Sequence, residues 1–473
     1  MSQGARHNAD RRRAHHGATR IMTFLCIAFL AAAQRSAFCQ SNSISGSIPA
    51  GPVAPGVLHL GLRDAIQRGL QYNLAEVQSG QDARIARGER LIALSKLLPQ
   101  VNADVSEEIQ QLDLSSLGLK ILGVPNVIGP FGVSGAEGTI NQTISTELVR
   151  RFLAAHSSEQ AAQLNYQDTL DLVTLSVGNA YLLVIEASSR IEAQEAQVRN
   201  ARVLYDQARD EVEAGTAPRI DQTQTEVQLH SEEYTLSVTR NNFAVAKLNL
   251  ARAIGLPLGQ EFDLIDQLPF TEVNPPNLDE ALSIAYRSRS DLKADIASQH
   301  SAAESLSAAR MERLPVITAG GHYGDQGTTF GQSHGEFTFQ GELSVPLFTG
   351  GRIKGDIAEA EATLRQREAN TENLRGQIDY DVRTAFLNLN AASEQVTVAR
   401  QNVDLANDNL TRSKDRFASG VTNSVEVVQA EQSLANADDQ YITSLYNYNF
   451  AKLSLARALG VARTNFEQYL GGK

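Results

Sequence analysis

The stretch SGVTNSVEVVQAE, residues 419–431, sets a glycine and a polar turn between two runs that read as helix, and it has a counterpart 205 residues earlier in AGTAPRIDQTQTE, residues 214–226. The correspondence runs well past the turn. Residues 180–255 match residues 385–460 without a gap: Ala180, Tyr181 and Leu182 against Ala385, Phe386 and Leu387, Gln224 and Glu226 against Gln429 and Glu431, and FAVAKLNLARAIG against NFAKLSLARALG. Upstream, Leu62, Ala65, Leu98 and Pro99 pair with Leu278, Ala281, Leu314 and Pro315 at a shift of 216. A fixed shift over such a span marks a tandem duplication.

Each half has the same order. A helix (about 60–97, then 278–313) ends at Leu-Pro, where the proline pushes its predecessor toward extended geometry. A stretch richer in glycine, threonine and valine follows, then a long helix, the turn at Gly215 or Gly420, and a return helix. Nothing stops the long helix between Val149 and Ala214, a span of 66 residues. At 1.5 Å per residue that is a rod of roughly 100 Å, too long for one globular core. The return helix shows how rods pack: Val427, Leu434, Tyr441, Tyr448 and Leu455 fall seven apart, with Ala430, Ala437, Ser444, Ala451 and Ala458 three residues after each. A sustained period of seven imposes a left-handed supercoil, and small residues on alternate seam positions let backbones approach. The first half keeps the bulky seam at Leu229, Leu236, Phe243 and Leu250, but its small seam is more polar, with Thr225, Glu232 and Thr239 before Ala246 and Ala253.

The glycine-rich stretches read as strand pairs. In EFTFQGELSV, residues 336–345, Phe337, Phe339, Gly341, Leu343 and Val345 alternate with Glu336, Thr338, Gln340, Glu342 and Ser344. Ten residues of strict alternation fit a tilted strand crossing a membrane with one face to lipid and one to water. Its expected partners are residues 101–112, 138–148 and 316–324. Four strands per chain cannot close in lipid, where open edges are not tolerated. Two chains would give eight strands filled by side chains, and three would give twelve with a lumen, so a pore calls for a trimer.

Composition narrows the remaining possibilities. Arg11, Arg12, Arg13 and Arg20 lead into the 13-residue apolar run IMTFLCIAFLAAA, too short to span a bilayer and suited to a signal-peptide core. Cleavage falls after Cys39 or after Ala33. A lipid-bearing Cys39 would want a small residue before it, and Phe38 is not small. Both cysteines, Cys26 and Cys39, lie in this leader, so cleavage after Cys39 leaves no thiol. Without residues 1–39 the chain has 36 basic against 53 acidic residues, a balance of −17 that argues against nucleic-acid binding. The organisation is a signal peptide over 1–39, a first repeat over 40–255, a linker or equatorial region over 256–277, a second repeat over 278–460 and a tail over 461–473. Within the repeats, strand pairs occupy 99–148 and 315–346 and helical hairpins 149–255 and 347–460. Four prolines forbid a continuous helix through the linker.

With this plan in view the chain resembles the TolC family of outer-membrane efflux and secretion ducts. The resemblance rests on the duplication, the LLPQV and RLPVI helix exits at Pro99 and Pro315, the SVPLFTGGR re-entry around Pro346, and the two turns, each a glycine with an acid six residues on. It implies a mainly α fold: long helical hairpins forming a trimeric α-helical barrel, plus a twelve-stranded membrane β-barrel. It further implies a homotrimer in the outer membrane of a Gram-negative-type cell, extending into the periplasm, where the hairpin tips meet an adaptor protein and an inner-membrane pump of RND or ABC type. The duct is passive, with no catalytic residue, cofactor or metal.

The resemblance gives the turns a role. Gly215, Thr216, Ala217, Gly420 and Val421 become adaptor-docking candidates, and Asp221 and Glu426 become candidates for acidic rings that gate the periplasmic end. Read locally, the same carboxylates cap the return helices. The family's best-known member has an arginine where Thr422 stands and a second acid where Gln429 stands. Arg219 is then the candidate to substitute for the missing arginine, with Phe417 as the aromatic near the turn. His322 and His334, twelve apart, lack accompanying metal ligands and read as loop residues. The rival readings are a periplasmic adaptor, expected to have one hairpin inside a small β domain, and a structural coiled coil, expected to lack alternating strands.

Overall fold

The computed structural model describes residues 44–464 apart from 45, 54, 117, 119–121, 267–269, 272 and 274–275. The leader, both cysteines, most of the C-terminal tail and part of the linker lie outside the described residues.

The first repeat runs β1 (Leu58–Leu60), α1 (Leu62–Tyr72), α2 (Leu74–Ser95), β2 (Gln100–Asp113), β3 (Val127–Ile144), α3 (Thr146–Glu213) and α4 (Arg219–Ala253). The linker contributes β4 (Phe262–Leu264), and the second repeat runs α5 (Leu278–Ser288), α6 (Ser290–Met311), β5 (Val316–Gly327), β6 (His334–Ser344), α7 (Arg352–Ala418) and α8 (Ser424–Ala458). β2 and β5 each begin on the residue after the proline that ends the preceding helix. The strand expected at 138–148 is longer and earlier, and the helix behind it starts at Thr146 with Ser145 as its cap, the side chain accepting from the Glu147 amide at 3.2 Å.

The sequence reading of one helix over 60–97 and one over 278–313 is corrected at equivalent places. The first breaks at Asn73 (φ −65°, ψ 136°) and the second at Arg289 (φ −58°, ψ 122°). Asn73 is wholly buried; its Oδ1 caps α2 by accepting from Ala75 N, while its amide donates to the carbonyls of Ile44 and Ala253 at 2.7 and 3.2 Å. Arg289 turns its guanidinium inward onto Asp291 (2.6 Å) and Asp381 (2.9 Å). A second glycine in each half abuts these breaks. A Cβ on Gly255 would stand 2.5 Å from Tyr72 Cβ, and one on Gly460 would stand 2.8 Å from Arg289 N.

The duplication is visible in the packing. In the first half Val173, Val177, Val184, Leu250 and Ile254 are buried together with Ala65 and Ile66. Their equivalents Ile378, Val382, Leu389, Leu455 and Leu459 are buried with Ala281 in the second. Leu182 and Leu453 join the halves, and α3 and α8 approach so closely that a Cβ on Gly178 would meet Leu453 Cδ2 at 2.6 Å. A feature absent from the sequence reading is a small parallel pair, β1 with β4, which ties the linker to the first repeat. Tyr181 completes that tie, its hydroxyl lying 3.1 Å from Leu60 O and 2.6 Å from Asp266 Oδ2.

Above this waist the four long strands form one antiparallel sheet in the order β2-β3-β5-β6. The helices attached to those strands, α2, α3, α6 and α7, neighbour one another in the same order. Below the waist α8 packs between α7 and α3, while α4 lies against α3 and touches α8 only lightly. The heptad stripe of α8 is accordingly buried from Val427 to Ala458 except for the half-buried Tyr441, whereas on α4 Leu236, Phe243, Thr239 and Ala246 are only half-buried. A stripe patterned for contact on an edge helix is one that lacks its neighbour within a single chain.

Candidate functional site

The sheet sorts its side chains by face. Val101, Val105, Ile109, Ile140, Ile317, Phe337, Phe339 and Leu343 lie on one face, and register pairs Val101 with Ile140, Ile317 with Leu343 and Tyr323 with Phe337. The other face carries Asn102, Thr139, His322 and Thr338 in one cross-strand row and Asp104, Glu137, Gly324 and Glu336 in the next. His322 thus stands in the polar face of β5 rather than in a surface loop, and His334 opens β6. The apolar side chains are exposed in the isolated chain. No lysine, arginine or proline occurs in β2 or β6, the two edge strands. They carry acids instead, Asp104, Glu107, Glu108 and Asp113 on β2, with Glu107 alternating onto the apolar face, and Glu336 and Glu342 on β6, and each leaves a row of backbone N–H and C=O groups without a strand partner in the single chain.

At the other end of the rods, each turn closes with the same hydrogen bonds. Gly215 N donates to Val212 O (3.0 Å) and Thr216 N to Glu211 O (2.9 Å); Gly420 N donates to Phe417 O (2.9 Å) and Val421 N to Arg416 O (3.0 Å). The pattern requires a left-handed residue at the glycine, and φ is +73° at Gly215 and +69° at Gly420. Ala217 is half-buried, while Thr216 and Val421 are exposed.

The tips of the two hairpins meet within one chain. Ser424, fully buried at the first position of α8, donates through Oγ to Asp221 Oδ1 at 3.3 Å and lies 3.5 Å from Gln224 Oε1. Glu426 is held inside its own hairpin, 3.2 Å from Arg416 Nε and accepting a hydrogen bond from Thr422 Oγ1. Arg219 is exposed on the first turn of α4 and makes no ion pair among the described residues. Phe417 faces inward, packed with Leu204, Leu410, Val427 and Leu434. The structure therefore brings Asp221 to Ser424 and Glu426 to Thr422 and Arg416. Ser424 and Arg416 were missed in the sequence; the 205-residue shift sets Ser424 opposite Arg219, which is the signal that could have drawn attention to it.

Comparison with known proteins agrees with this architecture. The family model described as outer membrane efflux protein matches residues 70–256 and 281–461, one match per repeat. The outer membrane protein TolC of Vibrio cholerae is 24% identical over 377 residues, covering 77% of this chain and 83% of that protein. The Campylobacter jejuni CmeC outer membrane channel superposes with a TM-score of 0.76 at 15% identity, over 86% of this chain and 89% of that one. The Vibrio cholerae outer membrane protein VceC superposes with a TM-score of 0.74 at 18% identity, over 84% and 96%. With its two matched repeats, its amphipathic sheet and its paired helical rods, the chain belongs to the outer membrane efflux protein family, a family of outer membrane channels.

Proposed function

We propose that three copies of this chain close into one passive duct, with twelve strands in the outer membrane and a helical barrel below, docked at its tips to a periplasmic adaptor and an inner-membrane pump of RND or ABC type. One observation carries the reading: a four-stranded sheet with a mainly apolar face, a polar face and two long edges unpaired within the chain, continued by helices in the same lateral order. Such a sheet is a third of a barrel. Joining β6 of one copy to β2 of the next removes every edge, and the half-buried stripe of α4 gains its neighbour in the same step.

Asp221 and Glu426, each repeated three times around an axis, are proposed to ring the periplasmic opening, and the contacts with Ser424, Thr422 and Arg416 to hold the tips. Gly215, Thr216, Ala217, Gly420 and Val421 form the docking surface for the adaptor. The experiment has two parts. The detergent-extracted outer-membrane fraction should yield a heat-modifiable trimer, and release of the protein by osmotic shock would refute the duct. Asp221→Ala combined with Glu426→Ala should raise the single-channel current of the reconstituted trimer, and an unchanged current would remove the gate assignment.

A further inference from the structure

Where the sheet hands over to the helices, the chain changes charge. The four long strands hold eight acids and no lysine or arginine. All four end at the same rim of the sheet, where register pairs Gln100 with Asn141, Ile144 with Ile317 and Val316 with Ser344. Basic residues begin just beyond that rim. Lys96 and Arg313 precede the prolines that lead into β2 and β5, and Arg150, Arg151 and Arg352 follow β3 and β6. The last three are neutralised within the chain: Arg150 pairs with Glu304 at 3.0 Å, and Arg151 and Arg352 share Glu312 at 3.0 and 2.7 Å. Lys96 and Arg313 are exposed, and neither makes an ion pair or a side-chain hydrogen bond among the described residues. Apolar groups lie beside them. Leu98 and Leu314 are exposed, Val345 continues the series of Phe339 and Leu343 past the end of β6, and Leu347 and Phe348 are 92% and 91% exposed. Long-stemmed cations among exposed apolar groups, at the edge of an apolar sheet face, are arranged as at a bilayer surface.

We propose that each boundary between copies binds an anionic phospholipid of the periplasm-facing leaflet, its phosphate between Arg313 and Lys96 of the adjoining copy and its acyl chains against Leu347 and Phe348. This rests on the duct reading and names a partner for the rim of its barrel. With β6 of one copy joined to β2 of the next, the order along the rim is Arg313 before β5, Leu347 and Phe348 after β6, then Lys96 before the adjoining β2. The two cations are then two strand spacings apart, about 10 Å, close enough for both side chains to reach one headgroup. Without a lipid, two like charges face each other where the copies must join. A phosphate between them turns that repulsion into two charge-assisted hydrogen bonds. A zwitterionic headgroup brings its own ammonium and leaves the pair uncompensated. Lipid of the opposite leaflet has its headgroups about 30 Å away, across the hydrocarbon core.

The chain has no tryptophan, so Phe348→Trp places a single fluorescent reporter at the site. The full-length trimer carrying it is reconstituted into vesicles of equal parts phosphatidylglycerol and phosphatidylcholine, with quenching bromine on the acyl chains of one lipid or the other. Brominated phosphatidylglycerol should quench more strongly. One cation near an anionic surface strengthens attachment about fivefold, so the two together should give a preference of up to about 25-fold. Lys96→Gln or Arg313→Gln alone should lower that preference about fivefold, and the two combined should abolish it. Equal quenching by both lipids, quenching by neither, or a preference that survives the double substitution would overturn the site. Leu347→Trp repeats the measurement if the first reporter yields no trimer. Planar-bilayer current from the same trimers separates the two ideas: a conducting trimer without lipid preference rejects the lipid site alone, and absence of current rejects the duct.

Discussion

Gly420 and Gly460 offer a controlled comparison within one helical hairpin. Both end a long helix, both hold φ near +70° (+69° and +72°), and both sit in the same pair of closing hydrogen bonds. They differ in surroundings. A Cβ on Gly420 meets nothing within 4 Å, while one on Gly460 stands 2.8 Å from Arg289 N and 2.9 Å from Arg289 Cα. Those are backbone atoms at the break between α5 and α6, pinned by the Arg289 pairs with Asp291 and Asp381. Alanine at either position incurs about 1–2 kcal/mol for a left-handed L-residue. At Gly460, forcing the backbones apart adds about 1–3 kcal/mol. Gly460→Ala is therefore expected to lie below Gly420→Ala by about 1–3 kcal/mol, or about 2–12 °C in the melting of a repeat of this size. Thermal unfolding of the purified trimer by circular dichroism measures it. The first repeat supplies a replicate: Gly255→Ala meets Tyr72 Cβ at 2.5 Å, and Gly215→Ala meets nothing. Equal losses at Gly420 and Gly460 would refute the argument that packing at the waist, rather than backbone angle alone, fixes the second glycine of each half.

Other expectations follow from the same packing. Phe339→Lys on the apolar face should cost about 2–4 kcal/mol of barrel stability and block recovery of trimer from outer membranes, while Thr338→Lys on the polar face should be recovered normally. Arg289→Met should destabilise by about 3 kcal/mol, the low end for breaking a buried pair because Asp381 is partly exposed, as read by the shift in melting temperature. Burial pushes the fully buried Lys452 ammonium down to about 8. Folding therefore works against a desolvated cation below about pH 8, and that penalty fades as pH approaches the unfolded value of 10.5. Lys452→Met should raise the melting temperature most at neutral pH and least near pH 10; an equal gain at both would refute the assignment.

The fold was legible where a period survives local noise. The 205-residue shift, the heptads of α8 and the alternation of residues 336–345 each repeat one physical requirement many times, so no single residue carries the reading. Breaks that depend on a tertiary partner were not legible. Neither Asn73 nor Arg289 is a strong breaker in a helical run. Asn73 acts because its side chain reaches the carbonyls of Ile44 and Ala253, distant in sequence, and Arg289 because Asp381 of α7 holds it. The parallel pairing of β1 with β4 was hidden for a related reason: three residues per strand are too few to display a period.

The candidate site shows how far duplication alone can be trusted. Sequence alignment makes Arg219 equivalent to Ser424, Asp221 to Glu426 and Glu226 to Glu431, and the local backbone honours every equivalence. Their environments do not match, because α8 is enclosed by α7 and α3 while α4 is an edge. Arg219 is exposed where Ser424 is buried, and Glu226 is exposed where Glu431 is buried. Thus a repeat fixes conformation, while position in the wall fixes solvation, and chemistry follows solvation: burial pushes the Glu431 carboxyl up in the second hairpin, while its duplicate Glu226 is exposed in the first. In the proposed trimer α4 gains a neighbour from the next copy, so the asymmetry between the two hairpins belongs to the single chain, where α8 already has rods on both sides.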